Sequence, residues 1–192
     1  MRTKGIAFEE QLIRFDFAAG NPKIKAATPA GRVPVLVDGD LAVWESLAIL
    51  EYLAERYPQA GFWPQDTGMR ARARAVAAEM HGGFSALRSE CPMNMARQVR
   101  PIMVSDGVRR DVARIEAIWS EALARSGGPF LFGEFSNADA MFAPVVNRFE
   151  IYALSDHEAV ARYAQAMKAL PGWSEWEAAG RAEPWIVEED EA

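Results

Sequence analysis

Apolar positions along the first sixty residues repeat with two different periods. Ile13, Phe15 and Phe17 fall on alternate positions, so FEEQLIRFDF reads as a strand centred on residues 9–15. A turn-rich connection, AAGNPKIKAATPAG, follows and has room for one short irregular helix. Two short β-rich runs come next, Val33 to Val37 and Leu41 to Val43, with Asp38-Gly39 between them. Asp-Gly in that place predicts a tight hairpin, because glycine tolerates positive φ. From Ser46 the period lengthens: Leu47, Leu50, Leu53 and Tyr57 keep helical spacing until Pro58 ends the run.

Beyond residue 66 every pattern is helical. The spacing predicts helices near 67–90, 106–125, 137–153, 156–168 and 173–180. Gly82-Gly83 weakens the first of these and Pro92 stops it. The stretch Pro58 to Asp66 carries two prolines and a glycine and reads as a linker. The expected architecture is α/β plus all-α, with an α/β domain over 1–59 and an all-helical domain over 66–192. The closing EEDEA reads as a frayed, solvated acidic tail.

Composition narrows the function. Half of the 192 residues are apolar and a quarter are charged, a globular profile. No apolar run approaches the roughly 20 residues that cross a bilayer, and MRTKGIAFEE lacks the apolar core of a secretory signal. A cytoplasmic protein is expected. The net charge of −6 argues against nucleic acid as a partner, and the alternating Arg and Ala of Met69 to Val76 read as a solvated helix face. Cys91 is the single cysteine, which excludes an internal disulfide; with only His81 and His157 beside it, no metal site is expected.

The candidate chemistry lies in RVPVLVDGDLAVWES, residues 32–46. Pro34 cannot donate to a ladder, and it pushes Val33 toward an extended conformation. The N–H and C=O of Val33 are thereby left for an extended peptide to pair with, as a strand would. A cis Val33–Pro34 bond would project that backbone out of the sheet. Glu45 and Ser46 stand where a strand hands over to a helix. The unpaired N–H groups of a helix start, with the Ser46 hydroxyl, suit a carboxylate, and Glu45 suits an ammonium. A carboxylate and an ammonium on one carbon define an amino acid. Taken singly, Pro34 is an ordinary strand start and Ser46 an ordinary N-cap.

The order strand, Val-Pro, hairpin, Glu-Ser, helix resembles the thioredoxin-like half of the cytosolic glutathione S-transferases, of the serine-type bacterial kind. A second stretch, FLFGEFSNADAMFAPVVNRF (Phe130 to Phe149), is similar to the buried central helix of that family's C-terminal domain. Within it Ser136 and Asp139 have the spacing of a capping box, a structural feature; Phe135 would face only Ala140, a weak staple. The resemblance implies that the Val33 backbone pairs with the cysteinyl part of glutathione. It also implies that Glu45 and Ser46 hold the γ-glutamyl end and that Arg32 adds charge beside the peptide.

Glutathione is then a co-substrate, conjugated to a small electrophile, and the protein a homodimer. Two other readings carry the same site: a non-catalytic glutathione-binding or partner-binding module, and a glutathione-dependent isomerase of the maleylacetoacetate type. The family's first strand, catalytic loop and most of the first helix, roughly 25 residues by ordinary element lengths, have no counterpart here. No residue therefore inherits the catalytic role, and the resemblance implies an N-terminally incomplete thioredoxin-like domain, expected from a fragment or a misplaced start, the alternative being a real, shortened, non-catalytic product. For the electrophile it implies the first helix of the helical domain: Met80 and Phe84, four apart on one face, with Arg88 continuing it.

Overall fold

The chain reverses sharply at Gly39, which takes φ 59° in the two-residue loop Gly39-Asp40. On either side stand β1 (Val35–Asp38) and β2 (Leu41–Trp44), paired antiparallel with Val35 opposite Trp44 and Leu36 opposite Val43. These elements belong to a computed structural model that describes residues 1–28, 30–188 and 191. The molecule divides into two units, Met1–Phe62 and Trp63–Ala192.

In the first unit a short α1 (Pro22–Ala27) precedes the hairpin, and α2 (Ser46–Arg56) follows it and lies against both strands. Proline at the first position starts α1, and Ile24 is its buried anchor. Leu53 of α2 is buried as well. The predicted strand over 9–15 does not form: residues 6–16 carry no ladder, and Phe8, Leu12, Phe15 and Phe17 are exposed. The physical reason is the lack of a partner. Among the described residues the sheet has two strands, which pair with each other. Phe15 and Phe17, on alternate positions as expected, stack with centroids 5.2 Å apart. The hairpin strand also begins later than its β-rich run, at Val35, after Pro34.

The second unit contains α3 (Thr67–Gly82), α4 (Ser85–Glu90), α5 (Asp106–Ser126), α6 (Asn137–Ile151), α7 (Glu158–Lys168) and α8 (Pro171–Ala182). The helix predicted over 67–90 is two helices. Gly83 leaves the helical region and Phe84 turns left-handed at φ 56°, so α3 and α4 meet at a corner. A Cβ on Gly83 would stand 2.6 Å from the Glu79 carbonyl oxygen, which explains why glycine occupies the break.

Helix α5 is fully specified by its own sequence. The Ser105 side chain accepts from Val108 N, Asp106 sits in the first turn, and Gly127 ends the helix at φ 65°. Val108, Val112, Ile115, Trp119 and Ala122 form its buried stripe. Trp119 reaches the middle of the core, with ring centroids 5.6 Å from Phe142, 5.2 Å from Phe149 and 4.7 Å from Tyr163. Between α3 and α5 two ion pairs cross: Arg114 donates from Nε and Nη2 to the two Glu79 carboxylate oxygens at 2.6 and 2.8 Å, and Arg72 reaches Glu121 at 3.3 Å.

Helix α6 is buried along most of its length. At its head the Asp139 carboxylate accepts Leu131 N–H at 3.0 Å and Tyr163 O–H at 3.1 Å on one oxygen. The other oxygen takes Ser136 N–H at 2.8 Å and the Ser136 hydroxyl at 2.9 Å. Burial pushes this carboxyl upward, and its four donors pull the other way. The expected capping box is present, while Phe135 packs edge-on against Phe130 at 5.7 Å.

At the other end of α6, Arg148 Nε donates to the Cys91 carbonyl at 2.8 Å and Arg100 N to the Ile151 carbonyl at 2.8 Å, which pins the long loop after α4. Cys91 itself is completely buried. Of the acidic tail, Glu189, Asp190 and Ala192 lie outside the described residues; Glu191 accepts a hydrogen bond from Asn94. No described helix is long and apolar enough to cross a membrane.

Candidate functional site

Pairing Val35 with Trp44 brings the start of β1 and the end of β2 to the same end of the hairpin. Val33-Pro34 and Glu45-Ser46, twelve positions apart in sequence, therefore come together. Arg32 precedes them on the same segment. The Val33–Pro34 peptide bond is cis, and Arg32, Val33 and Pro34 are all exposed.

Glu45 turns the corner from β2 into α2 with φ 68° and ψ 122°, a conformation non-glycine residues rarely hold. Such backbone costs on the order of 1–3 kcal/mol and persists where the surroundings impose it. The N-cap of α2 is Glu45, so Ser46 is the first helical residue and not the cap the sequence allowed. The first backbone bond of the helix runs from Ile49 N to Glu45 O at 3.0 Å. No side chain caps α2, and no acidic residue stands in its first turn. Among the described residues no acceptor is seen for the N–H groups of Ser46, Leu47 and Ala48. Three such donors and a hydroxyl at the positive end of an eleven-residue helix suit a carboxylate chemically.

The other predicted cluster is not a continuous face. Met80 closes α3, Phe84 stands at the corner, and Arg88 lies on α4, so helical spacing does not align the three. Met80 and Phe84 are buried within the helical unit. Arg88 is exposed and donates to the His81 carbonyl at 3.0 Å, covering the end of α3. A groove of about 230 Å³ on the helical unit is lined by Val76, Ile118 and Leu131 and by both the Arg114–Glu79 and Arg72–Glu121 pairs. The described residues contain no group of three or more His, Cys, Asp or Glu that could hold a metal ion.

Sequence reasoning missed a contact beside the hairpin. Asp38, read only as a turn residue, accepts Tyr52 O–H at 2.7 Å and lies 3.8 Å from Arg56 Nε. That hydrogen bond, with a smaller effect of burial, raises the Tyr52 hydroxyl above its ordinary pKa. The available signal was the spacing of Tyr52 and Arg56, one helical turn apart.

Residues 1–56 match the glutathione S-transferase N-terminal domain and residues 96–179 the glutathione S-transferase C-terminal domain. The chain belongs to the glutathione S-transferase family. A probable maleylacetoacetate isomerase of Caenorhabditis elegans is 25% identical over 174 residues, covering 88% of this chain and 81% of that protein. The maleylacetoacetate isomerase of Pseudomonas aeruginosa is 38% identical over 100 residues, 50% of this chain and 47% of its own.

Among solved structures, a glutathione transferase homolog from Burkholderia gl BGR1 with bound glutathione superposes with a TM-score of 0.68 at 26% identity. It covers 95% of this chain and 88% of that one. A glutathione S-transferase fold therefore describes both units: a thioredoxin-like N-terminal part and a helical C-terminal part.

Proposed function

We propose that this glutathione S-transferase binds glutathione at the joined ends of its hairpin. The backbone of Val33, ahead of Pro34, pairs with the cysteinyl part. The first-turn N–H groups of α2 and the Ser46 hydroxyl take the γ-glutamyl carboxylate, Glu45 takes the ammonium, and Arg32 adds positive charge beside the peptide. The observation that carries this reading is the positive-φ Glu45 at the head of a helix with no side-chain cap, beside the Val33 ledge. A structural relative with bound glutathione supports the choice of ligand.

Glutathione is the co-substrate. Its thiolate, the thiol proton having gone to solvent, attacks an electrophilic carbon and a C–S bond forms. Either the bond to a leaving group breaks and the leaving group takes the pair, or the attacked C=C π bond breaks, its pair is carried to a conjugated oxygen, and solvent supplies the proton. Activation of the thiol is assigned to no residue of this chain. Of the residues expected on the electrophile's side, Met80 and Phe84 are buried and Arg88 alone is exposed. A homodimer in the cytoplasm belongs to the same proposal and rests on the family resemblance.

A second reading, glutathione-dependent isomerisation of the maleylacetoacetate type, is favoured by the names of two relatives. A binding module without chemistry would give saturable glutathione binding and no turnover. Calorimetric titration tests the site that all three share. Glu45→Ala and Ser46→Ala should each weaken glutathione binding by about 1–3 kcal/mol through lost charge-assisted hydrogen bonds. If both variants bind like the parent, the assignment is wrong. Turnover with haloarene and maleyl substrates then separates transferase from isomerase.

A further inference from the structure

The hairpin is attached to α2 at both of its ends. At one end the attachment is covalent, through Glu45 and Ser46. At the other, Asp38 closes β1 and its carboxylate accepts Tyr52 O–H at 2.7 Å, with Arg56 Nε 3.8 Å away. Val33 and Asp38 are five residue steps apart, about 15 Å of extended chain. Ser46 and Tyr52 are six helical steps apart, about 9 Å. The tie therefore acts on a long lever, far from the ligand residues it affects.

Glu45 is the joint of that lever. Apolar packing of the half-buried Leu36 and Val43 and the buried Leu53 keeps strands and helix together, but burial is non-directional and sets no angle. A two-stranded ribbon is also marginally stable alone. A hydrogen bond has a required distance and direction, so the Asp38–Tyr52 contact is the element able to fix the angle. With the tie cut, a swing of about 10° at the joint moves a strand neighbour some 5.5 Å away by about 1 Å. A binding constellation tolerates roughly 0.5 Å.

We infer that Tyr52, assisted by Arg56, is a positioning residue for the glutathione site: through Asp38 it sets the angle of the hairpin on α2, and with it the span between Val33 and Ser46. This inference rests on the glutathione reading of the site. Its consequence is selective. A ligand that bridges the Val33 ledge and the Ser46 socket needs the span to be right; a ligand that fills the socket alone does not.

The test uses the full chain and two probes, glutathione and γ-glutamylethylamide, which keeps the γ-glutamyl end and lacks the cysteinyl part. Tyr52→Phe should lower glutathione affinity about 3–5-fold, the worth of one exposed hydrogen bond, and leave γ-glutamylethylamide affinity unchanged. Asp38→Leu should behave the same way. Asp38→Asn keeps an oxygen for the Tyr52 hydroxyl and should retain the parent's affinity for both. Equal glutathione binding by Tyr52→Phe and the parent overturns the inference and leaves the site reading standing. A parallel loss of both probes also overturns it, since it would mark general loosening of the fold. A parent chain that binds neither probe overturns the site reading itself.

Discussion

Replacing Asp139 by alanine removes one acceptor group and strands several donors at once. Leu131 N–H, Ser136 N–H and Tyr163 O–H each lose a partner at positions where the residues are at most 3% exposed. The Ser136 hydroxyl can rotate to another acceptor; the backbone N–H groups cannot. An unsatisfied buried donor costs about 1–3 kcal/mol. Removing the carboxylate returns part of this, because its burial is itself unfavourable. The net expectation is a loss of about 3–5 kcal/mol from a total that for such proteins is about 5–15 kcal/mol.

Urea unfolding followed by far-ultraviolet circular dichroism measures it. With a slope of about 1–3 kcal/mol per molar, the midpoint should fall by more than about 1 M. Tyr163→Phe is the informative partner. It removes a donor, leaving the carboxylate three others, and should cost about 1 kcal/mol or less through that bond. A loss below about 1 kcal/mol in Asp139→Ala at unchanged slope, or equal losses in the two variants, would refute the claim that stranded donors dominate.

Two further perturbations probe α3. Gly83→Ala places a Cβ 2.6 Å from the Glu79 carbonyl oxygen and should cost about 1–3 kcal/mol by forcing the last turn aside. Gly82→Ala meets nothing within 4 Å and should be neutral or stabilise by up to about 1 kcal/mol; the same urea experiment compares them. Glu79→Gln breaks the clasp with Arg114, whose hydrogen bond holds the Glu79 carboxyl below its ordinary range. A lowered carboxyl contributes stability above its unfolded value, and that contribution disappears as pH falls through the folded value. The variant should therefore lose no more than about 1 kcal/mol at pH 7, since the pair is partly solvated. It should match the parent well below about pH 4; a difference that persists there would count against the ion pair as its source.

What could be read from sequence was what neighbours decide. Asp38-Gly39 announced the hairpin because a glycine at positive φ is a local requirement, and the helical spacing over 106–125 announced α5. The capping box of Ser136 and Asp139 was likewise a matter of four consecutive residues. The strand over 9–15 was misjudged because alternation only offers a face, and a strand forms when another supplies the ladder. The corner at Gly83 and Phe84 was underweighted because helical spacing continues through it, while the close approach of Glu79's carbonyl appears only in three dimensions. At the candidate site the residues came from the motif. The positive φ of Glu45 and the reach of Tyr52 to Asp38 did not, since both depend on how the hairpin meets α2.

The burial of Cys91 has a consequence for a protein whose proposed ligand is itself a thiol. Burial, with a smaller push from the neighbouring Glu90 charge, raises the Cys91 thiol to about 11. Exchange with a disulfide requires a thiolate that the disulfide can reach, and the folded chain offers neither condition. Oxidised glutathione drifting into the site therefore finds no sulfhydryl on the protein to couple with, and repeated encounters leave no covalent scar. The same seclusion makes Cys91 a built-in tracer: a thiol-selective dye would colour the chain only at the pace at which the end of α4 comes open.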